Sequence, residues 1–142
     1  MKIRVLNISL LLPFLLMMAS CTSISPYNET AYKYATSIKA SSLQLLDKAQ
    51  STTYSANEKD IDALMLESRK AYEYALQRPN NEDSSDQWKI VLDPEESGLA
   101  GFMKKWKKDK QLNAQFVQFA KKEISTQFDQ ISALESGKVK KQ

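Results

Sequence analysis

Apolar residues recur at steps of three and four along most of the chain, and this spacing narrows the possible folds more than any other feature. The first such stripe comprises Ala31, Tyr34, Ala35, Ile38, Ser42, Leu45, Leu46 and Ala49. A stripe with this period is the buried face of an amphipathic α-helix. The chain has 3 Gly and 4 Pro in 142 residues, and no stretch alternates as a half-buried strand does. The sequence therefore predicts an all-α fold.

Two further long helices are predicted from their end signals. Ser55 and Glu58 have the spacing of a capping box, and Pro79 stops the helix that follows because the residue before a proline avoids the α region. The last helix is predicted over residues 109–135, with a capping glycine at position 137. Its expected inward residues are Leu112, Phe116, Phe119, Ala120, Ile124, Phe128, Ile131 and Leu134.

The region between these helices is less regular. Residues 80–86 are predicted to be a polar loop, and residues 87–92 an apolar segment that packs Trp88 onto the helices. Asp93 and Pro94 indicate the start of a short helix with Leu99, Phe102, Met103 and Trp106 on its inner face. We therefore expect residues 29–142 to form a small antiparallel helical bundle of three long helices plus one short helix.

The first twenty residues have the pattern of an export signal. Lys2 and Arg4 precede an apolar run that extends to Met18 and is interrupted by Pro13. A basic start followed by a short apolar stretch is typical of a secretory signal peptide. The run is shorter than the roughly 20 residues that a membrane-spanning helix needs. We interpret residues 1–20 as a removed signal.

The only cysteine of the chain follows this segment directly. The run Met18-Ala19-Ser20-Cys21 resembles the lipobox of bacterial lipoproteins, from whose usual form Met18 and Ser20 depart mildly. The resemblance covers residues 1–21 and implies diacylglycerol on the Cys21 thiol, cleavage before this residue and often acylation of the new amino group, with palmitate as one such acyl chain. The alternative is an ordinary signal peptide that leaves a free thiol, a liability in an oxidising compartment. More than one acyl chain would give stable attachment to the membrane.

This interpretation predicts a lipidated tether over residues 21–28 and a domain held close to the bilayer. In bacterial lipoproteins, Asp directly after the acylated cysteine is the signal for retention in the inner membrane. This chain has Thr22 at that position. The resemblance therefore implies the outer membrane, on the side that faces the periplasm.

Few residues of the kinds that perform catalysis are present. The chain has no histidine, and its single cysteine is assigned to the lipid, so we predict no cofactor and no metal site. The acidic stretch at residues 80–86 lacks the order of an EF-hand loop. The paired carboxylates Glu58 with Asp62 and Glu95 with Glu96 stand at predicted helix starts, where acids are expected from the helix dipole alone. We predict that the protein is not an enzyme.

The charge balance argues against nucleic acid as a partner. Without residues 1–20 the chain carries 18 basic and 17 acidic side chains, so its net charge is about +1. Residues 21–96 carry 8 basic and 13 acidic groups, whereas residues 97–142 carry 10 and 4. We interpret this asymmetry as attraction between acidic and basic helices of one fold, rather than as a basic docking face.

One basic stretch is a candidate contact site. Its residues are Lys104, Lys105, Trp106, Lys107 and Lys108. They have the composition of a segment that lies on anionic lipid headgroups or acidic glycans with the tryptophan at the interface. The alternative, which we prefer, places Trp106 in the core while the lysines cover the outside.

These features favour a membrane-anchored envelope lipoprotein that acts as a structural or protein-interaction module. Its expected partner is another envelope protein or the cell wall. Two alternatives remain open at this point. One is a carboxylate-dependent enzyme that acts on the cell wall, and the other is a helical bundle that binds a small ligand.

The lipid anchor makes a direct prediction. Substitution of Cys21→Ala should abolish incorporation of labelled palmitate and release the protein from the membrane fraction, because the chain has no other thiol to receive the diacylglycerol group. Membrane-bound mutant protein with full labelling would contradict the assignment.

Overall fold

Five α-helices form the part of the chain that the computed structural model describes, residues 25–137. They are α1 (Glu29–Lys48), α2 (Glu58–Leu76), α3 (Glu82–Leu92), α4 (Leu99–Asp109) and α5 (Ala114–Glu135). A short 3-10 turn, Ser55–Asn57, precedes α2. The all-α helical bundle is thereby confirmed. The proposed signal segment and Cys21 lie outside the described residues.

The three long helices pack side by side in an antiparallel arrangement. Helix α1 contacts both α2 and α5, while α3 packs against α2 and α5. Two ion pairs join α1 and α5, one between Lys39 and Asp129 (2.6 Å) and one between Asp47 and Lys121 (2.6 Å). The residue numbers rise along α1 while those of their partners fall along α5, so the two helices are antiparallel. Asn28 caps α1 by accepting a hydrogen bond from the Ala31 amide at 2.9 Å.

Large aromatic side chains fill the centre of the bundle. Trp88 of α3 meets Phe128 of α5 edge to face, with ring centroids 5.8 Å apart, and both are buried. Such pairs add stability beyond the burial of their area. With no disulfide available to a chain that has one cysteine, this packing must hold the domain together.

The prediction of a polar loop at residues 80–86 is wrong, because α3 begins at Glu82. The acids Glu82 and Asp83 occupy its first turn, where they favour the helix dipole. Ser84 and Ser85 are buried together with Trp88 and Val91. The small serines pack inward although their composition is typical of a loop. The bundle therefore has two short helices where one was predicted.

The predicted helix start at Asp93 and Pro94 is also wrong. The Asp93 carboxylate accepts a hydrogen bond from the Glu95 amide at 2.9 Å, which stabilises a turn. Helix α4 begins only at Leu99. Gly98 lies so close to α3 that an added Cβ would stand 2.7 Å from the Ile90 carbonyl oxygen. This close approach leaves room for glycine alone.

Two further boundaries differ from the prediction. Helix α4 ends at Asp109, the residue that was predicted to start the last helix. The next residue, Lys110, has a left-handed backbone conformation with φ 65°, which terminates α4. Helix α5 starts after Asn113, whose side chain accepts from the Phe116 amide at 2.8 Å. Asn57, not Ser55, precedes α2, and no capping box forms there.

The inward face of α5 differs from the predicted stripe at several residues, since Leu112 precedes the helix, Leu134 is only half-buried and Glu135 is buried. Phe119 is 60% exposed, whereas Val117 is buried. The two residues stand about 200° apart around the helix, so only one of them can face the core. None of the helices within residues 25–137 combines the length and apolarity that a membrane span requires.

The two phenylalanines of α5 provide a matched test of this packing. Phe128→Ala should lower the free energy of unfolding by about 3–5 kcal/mol because it leaves a cavity beside Trp88. Phe119→Ala should change it by no more than about 0.5 kcal/mol because the ring is largely in solvent. Urea unfolding followed by tryptophan fluorescence measures both. Equal losses would show that α5 is rotated relative to the structure.

Candidate functional site

The bundle has two ends with different surfaces, and each contains residues of functional interest. The Ser25 end comprises the start of α1, the end of α2, the start of α3 and the end of α5. The Trp106 end comprises the end of α1, the start of α2, helix α4 and the start of α5. Hydrogen bonds from Leu112 to Ala49 (2.9 Å) and from Trp106 to Thr52 (3.2 Å) join its elements.

At the Ser25 end, Arg78 holds the start of the described chain against the bundle. Its guanidinium donates hydrogen bonds to the Ser25 hydroxyl and to the Pro26 carbonyl, both at 2.7 Å. The Ser25 amide donates to the carbonyl of Asn80 at 3.0 Å. The second half of the predicted tether, residues 25–28, is therefore part of the folded domain.

The same arginine compensates a buried charge. Arg78 forms an ion pair with Glu135, whose side chain is fully buried. Among the described residues, Oε1 of Glu135 has no hydrogen-bond partner, so the contact through Oε2 must offset the cost of burying this carboxylate. This pair joins the end of α2 to the end of α5.

At the opposite end, Trp106 lies in the core. It is fully buried, its ring meets Tyr54 edge to face at 6.1 Å, and Phe102 and Met103 are buried beside it. This burial confirms the preferred interpretation, in which Trp106 fills the core. The other interpretation, in which its ring contacts a lipid or glycan surface, is wrong. A tryptophan on the inner stripe of α4 was identifiable from its spacing relative to Leu99 and Phe102.

The four neighbouring lysines are exposed, and acidic groups of the same chain accompany three of them. Lys104 pairs with Glu95 at 2.5 Å, Lys105 with Asp109 at 2.7 Å and Lys107 with Glu58 at 4.0 Å. The hydrogen bond from Lys105 lowers the pKa of Asp109. The surface carries both signs of charge, and contact of Lys104, Lys105, Lys107 and Lys108 with a partner stays a prediction.

An open groove lies between residues 93–98, α4 and α5, with a volume of about 280 Å³. We call it the Phe119 groove. Phe102 and Phe116 stack in its floor at 5.9 Å, and Phe119 stands exposed beside them. Its rim carries Glu95, Glu96, Glu123 and Lys105. The sequence pattern placed Phe119 in the core, so the groove beside its exposed ring was not predicted.

The four carboxylates considered for catalysis do not share one cleft, since Glu95 and Glu96 lie on the rim of the Phe119 groove and Glu58 and Asp62 lie on α2. Glu58, Asp62, Glu95 and Glu96 are all exposed, and two of them face lysines. An acid and a base need environments that separate their pKa values, which burial commonly provides. Within residues 25–137, no three His, Cys, Asp or Glu side chains converge where they would hold a metal ion.

Comparison with protein-family models, with curated proteins and with solved structures found no match to this chain.

The Arg78 cluster yields a prediction on stability. Arg78→Ala should lower the free energy of unfolding by about 3–5 kcal/mol because it leaves the Glu135 charge buried without a partner. Lys121→Ala, which breaks the exposed pair with Asp47, should cost no more than about 1 kcal/mol. Thermal and urea unfolding measure both. A small loss for Arg78→Ala, similar to that of the control, would exclude the proposed role of the pair.

Proposed function

We propose that the protein is a lipid-anchored envelope lipoprotein, attached through Cys21 and facing the periplasm from the outer membrane. We propose that it acts there as a non-catalytic interaction module. The observation that carries the lipid anchor is the sequence pattern that ends at Cys21, and the attachment of residues 25–28 to the bundle limits where the anchored domain can lie. It leaves only residues 22–24 between the acylated cysteine and a folded domain.

This short connection limits where the domain can be. Four residue steps separate Cys21 from Ser25, and they span at most about 14 Å. Helix α1 has 20 residues, so it is about 30 Å long and carries the chain away from Ser25 towards the other end. A lipid on Cys21 therefore holds the Ser25 end near the bilayer and permits the Trp106 end to extend into the periplasm.

The surface suited to a partner is the Phe119 groove at that far end. Exposed aromatic rings beside small pockets are typical of protein contact sites. The rim carries Glu95, Glu96 and Glu123 against Lys105, and this excess of acids favours a peptide segment with an apolar side chain flanked by lysine or arginine. Such a segment belongs to another envelope protein. The same acidic rim gives no support to nucleic acid as a ligand.

The enzyme alternative receives less support. A wall-degrading enzyme with two carboxylates needs them on either side of a bound glycosidic bond, whereas Glu58, Asp62, Glu95 and Glu96 are exposed on different elements. Binding of a small molecule in an open groove of this size would bury little of the ligand. A protein partner uses such a shallow surface better.

Site-specific crosslinking in cells tests this function. A photoreactive amino acid at position 119 should give one adduct of defined mass, whereas the same group at Leu66, which is 54% exposed, should not. Phe119→Asp should weaken recovery of the partner at least tenfold, since it removes a central apolar contact and adds a charge to an acidic rim. Leu66→Asp is the matched control. Identical adducts at both positions, or none at 119, would refute the proposal.

A further inference from the structure

A second open groove lies between α1 and α2 and shares no lining residue with the Phe119 groove. It consists of two adjoining hollows with volumes of about 340 and 170 Å³. Ser41, Asp60 and Leu64 line both hollows, so they form one continuous groove, which we call the Tyr34 groove. Along α1 its lining extends from Tyr34 to Lys48, which is about 21 Å for fourteen helical steps.

The Tyr34 groove has an apolar floor and a defined group at each end. Three buried side chains form the floor: Ile38, Leu45 and Leu64. At one end the half-buried Tyr34 ring packs on Tyr74, with ring centroids 5.9 Å apart. At the other end Lys48 and Asp60 form an ion pair of 3.0 Å between α1 and α2. The Tyr34 ring is therefore held in place before any ligand binds.

The walls carry polar groups that are not used within the described chain. Ser41 and Gln44 are exposed, and their side chains make no hydrogen bond to any residue in the range 25–137. Asp60 and Glu67 each bind a lysine through one carboxylate oxygen, which leaves the other oxygen free to accept a hydrogen bond. Hydroxyl and amide donors of α1 thus line one wall, and carboxylate acceptors of α2 line the other.

The charges of the groove are compensated. Asp60 has Lys48 at 3.0 Å, and Glu67 has Lys70 at 2.6 Å. A strongly charged ligand gains little from exposed carboxylates that already have a partner. The ligand that complements the groove is therefore uncharged and elongated, with an apolar side towards the floor and many groups that both donate and accept hydrogen bonds.

A polysaccharide strand has these properties. Each sugar hydroxyl can donate one hydrogen bond and accept others, so it matches an amide, a hydroxyl or a carboxylate. The C–H groups on the face of a sugar ring pack against the negative face of an aromatic ring such as that of Tyr34. A strand also contacts the groove along its length, so it binds without being enclosed.

A peptide complements the Tyr34 groove less well. An extended peptide is commonly bound as an added strand at a sheet edge, and the helices of residues 25–137 provide no such edge. An amphipathic helix needs apolar walls as well as an apolar floor, whereas the walls of this groove are mostly polar. The lining therefore favours the saccharide.

We propose that the Tyr34 groove binds an uncharged stretch of polysaccharide, with a sugar ring on Tyr34 and the hydroxyl groups of the strand hydrogen-bonded to both walls. This inference goes beyond the proposed function, because it adds a second site on other helices and requires neither the lipid nor the protein partner. The envelope location of the proposed function makes the glycan of the cell wall the source of such a strand.

Titration with a defined saccharide tests the inference. The probe is chitotetraose, the uncharged and extended tetramer of N-acetylglucosamine. The protein, isotope-labelled and isolated from cells in a zwitterionic detergent, is titrated with this probe and followed by two-dimensional NMR. We expect saturable shifts of the backbone amides in residues 34–48 and 60–67, and no shift at Phe119.

The two tyrosines of α1 provide a matched pair of variants. Tyr34→Ala should weaken chitotetraose binding by about tenfold, because it removes the ring on which a sugar stacks. Tyr32→Ala is the control, since this exposed ring lies about 200° away around α1 and packs on Tyr27 instead. Binding by the Tyr32→Ala protein should equal that of the unchanged protein.

A second variant leaves the contact between Tyr34 and Tyr74 intact. Ser41→Leu places a larger side chain at an exposed position in the middle of the groove, so it should abolish chitotetraose binding without changing thermal unfolding. Ala40→Leu introduces the same side chain at the neighbouring exposed position, outside the groove, and should leave binding unchanged.

Three results would overturn the inference. They are the absence of saturable shifts with chitotetraose, equal binding by the Ser41→Leu and Ala40→Leu proteins, and binding of a wall-derived peptide at the same amides in place of the saccharide. Failure of the proposed function is recognised separately. Phe119→Asp should leave chitotetraose binding unchanged, and Ser41→Leu should leave the crosslink at position 119 unchanged.

Discussion

The contact of Arg78 with Glu135 and Ser25 is the interaction on which the arrangement of this protein depends. It joins the start of the described chain, the end of α2 and the end of α5 at one point. A buried carboxylate is costly unless a positive charge compensates it, so the pair must form whenever these elements pack together. Because it also binds Ser25 and Pro26, the pair converts part of an apparent tether into a fixed element of the domain.

That fixed start gives the bundle a direction. If Cys21 carries the proposed lipid, a flexible connection of eight residues would let either end approach a bilayer. Attachment from Ser25 onward would instead keep the Trp106 end about 30 Å from the Ser25 end, the length of α1. The lysines of α4 lie at that far end, beside Glu95, Asp109 and Glu58.

The accuracy of the sequence-based predictions followed helix length. The long helices, with five or more turns, contain enough apolar residues for their period to be unambiguous. Most errors fall in the connections and short helices, at residues 80–86, 93–98 and 109–113, whereas Phe119 was assigned to the wrong face within the longest helix. Ser84 and Ser85 are of a residue type that is common in loops, yet they are buried in α3. Asp93 is of a type that commonly begins a helix, yet it stabilises a turn. Local propensities are weak there, and contacts with neighbouring helices outweigh them.

The sequence by itself determined the all-α class, the three long helices and the lipobox-like pattern that ends at Cys21, because each is a local property of spacing or composition. Only the tertiary structure decided that Phe119 is exposed, that Ser25 is docked beside Glu135 and that Gly98 must fit against Ile90. Periodicity identifies which residues share a helix face. Whether that face is covered depends on helices that are distant in the chain, and no local pattern encodes their positions.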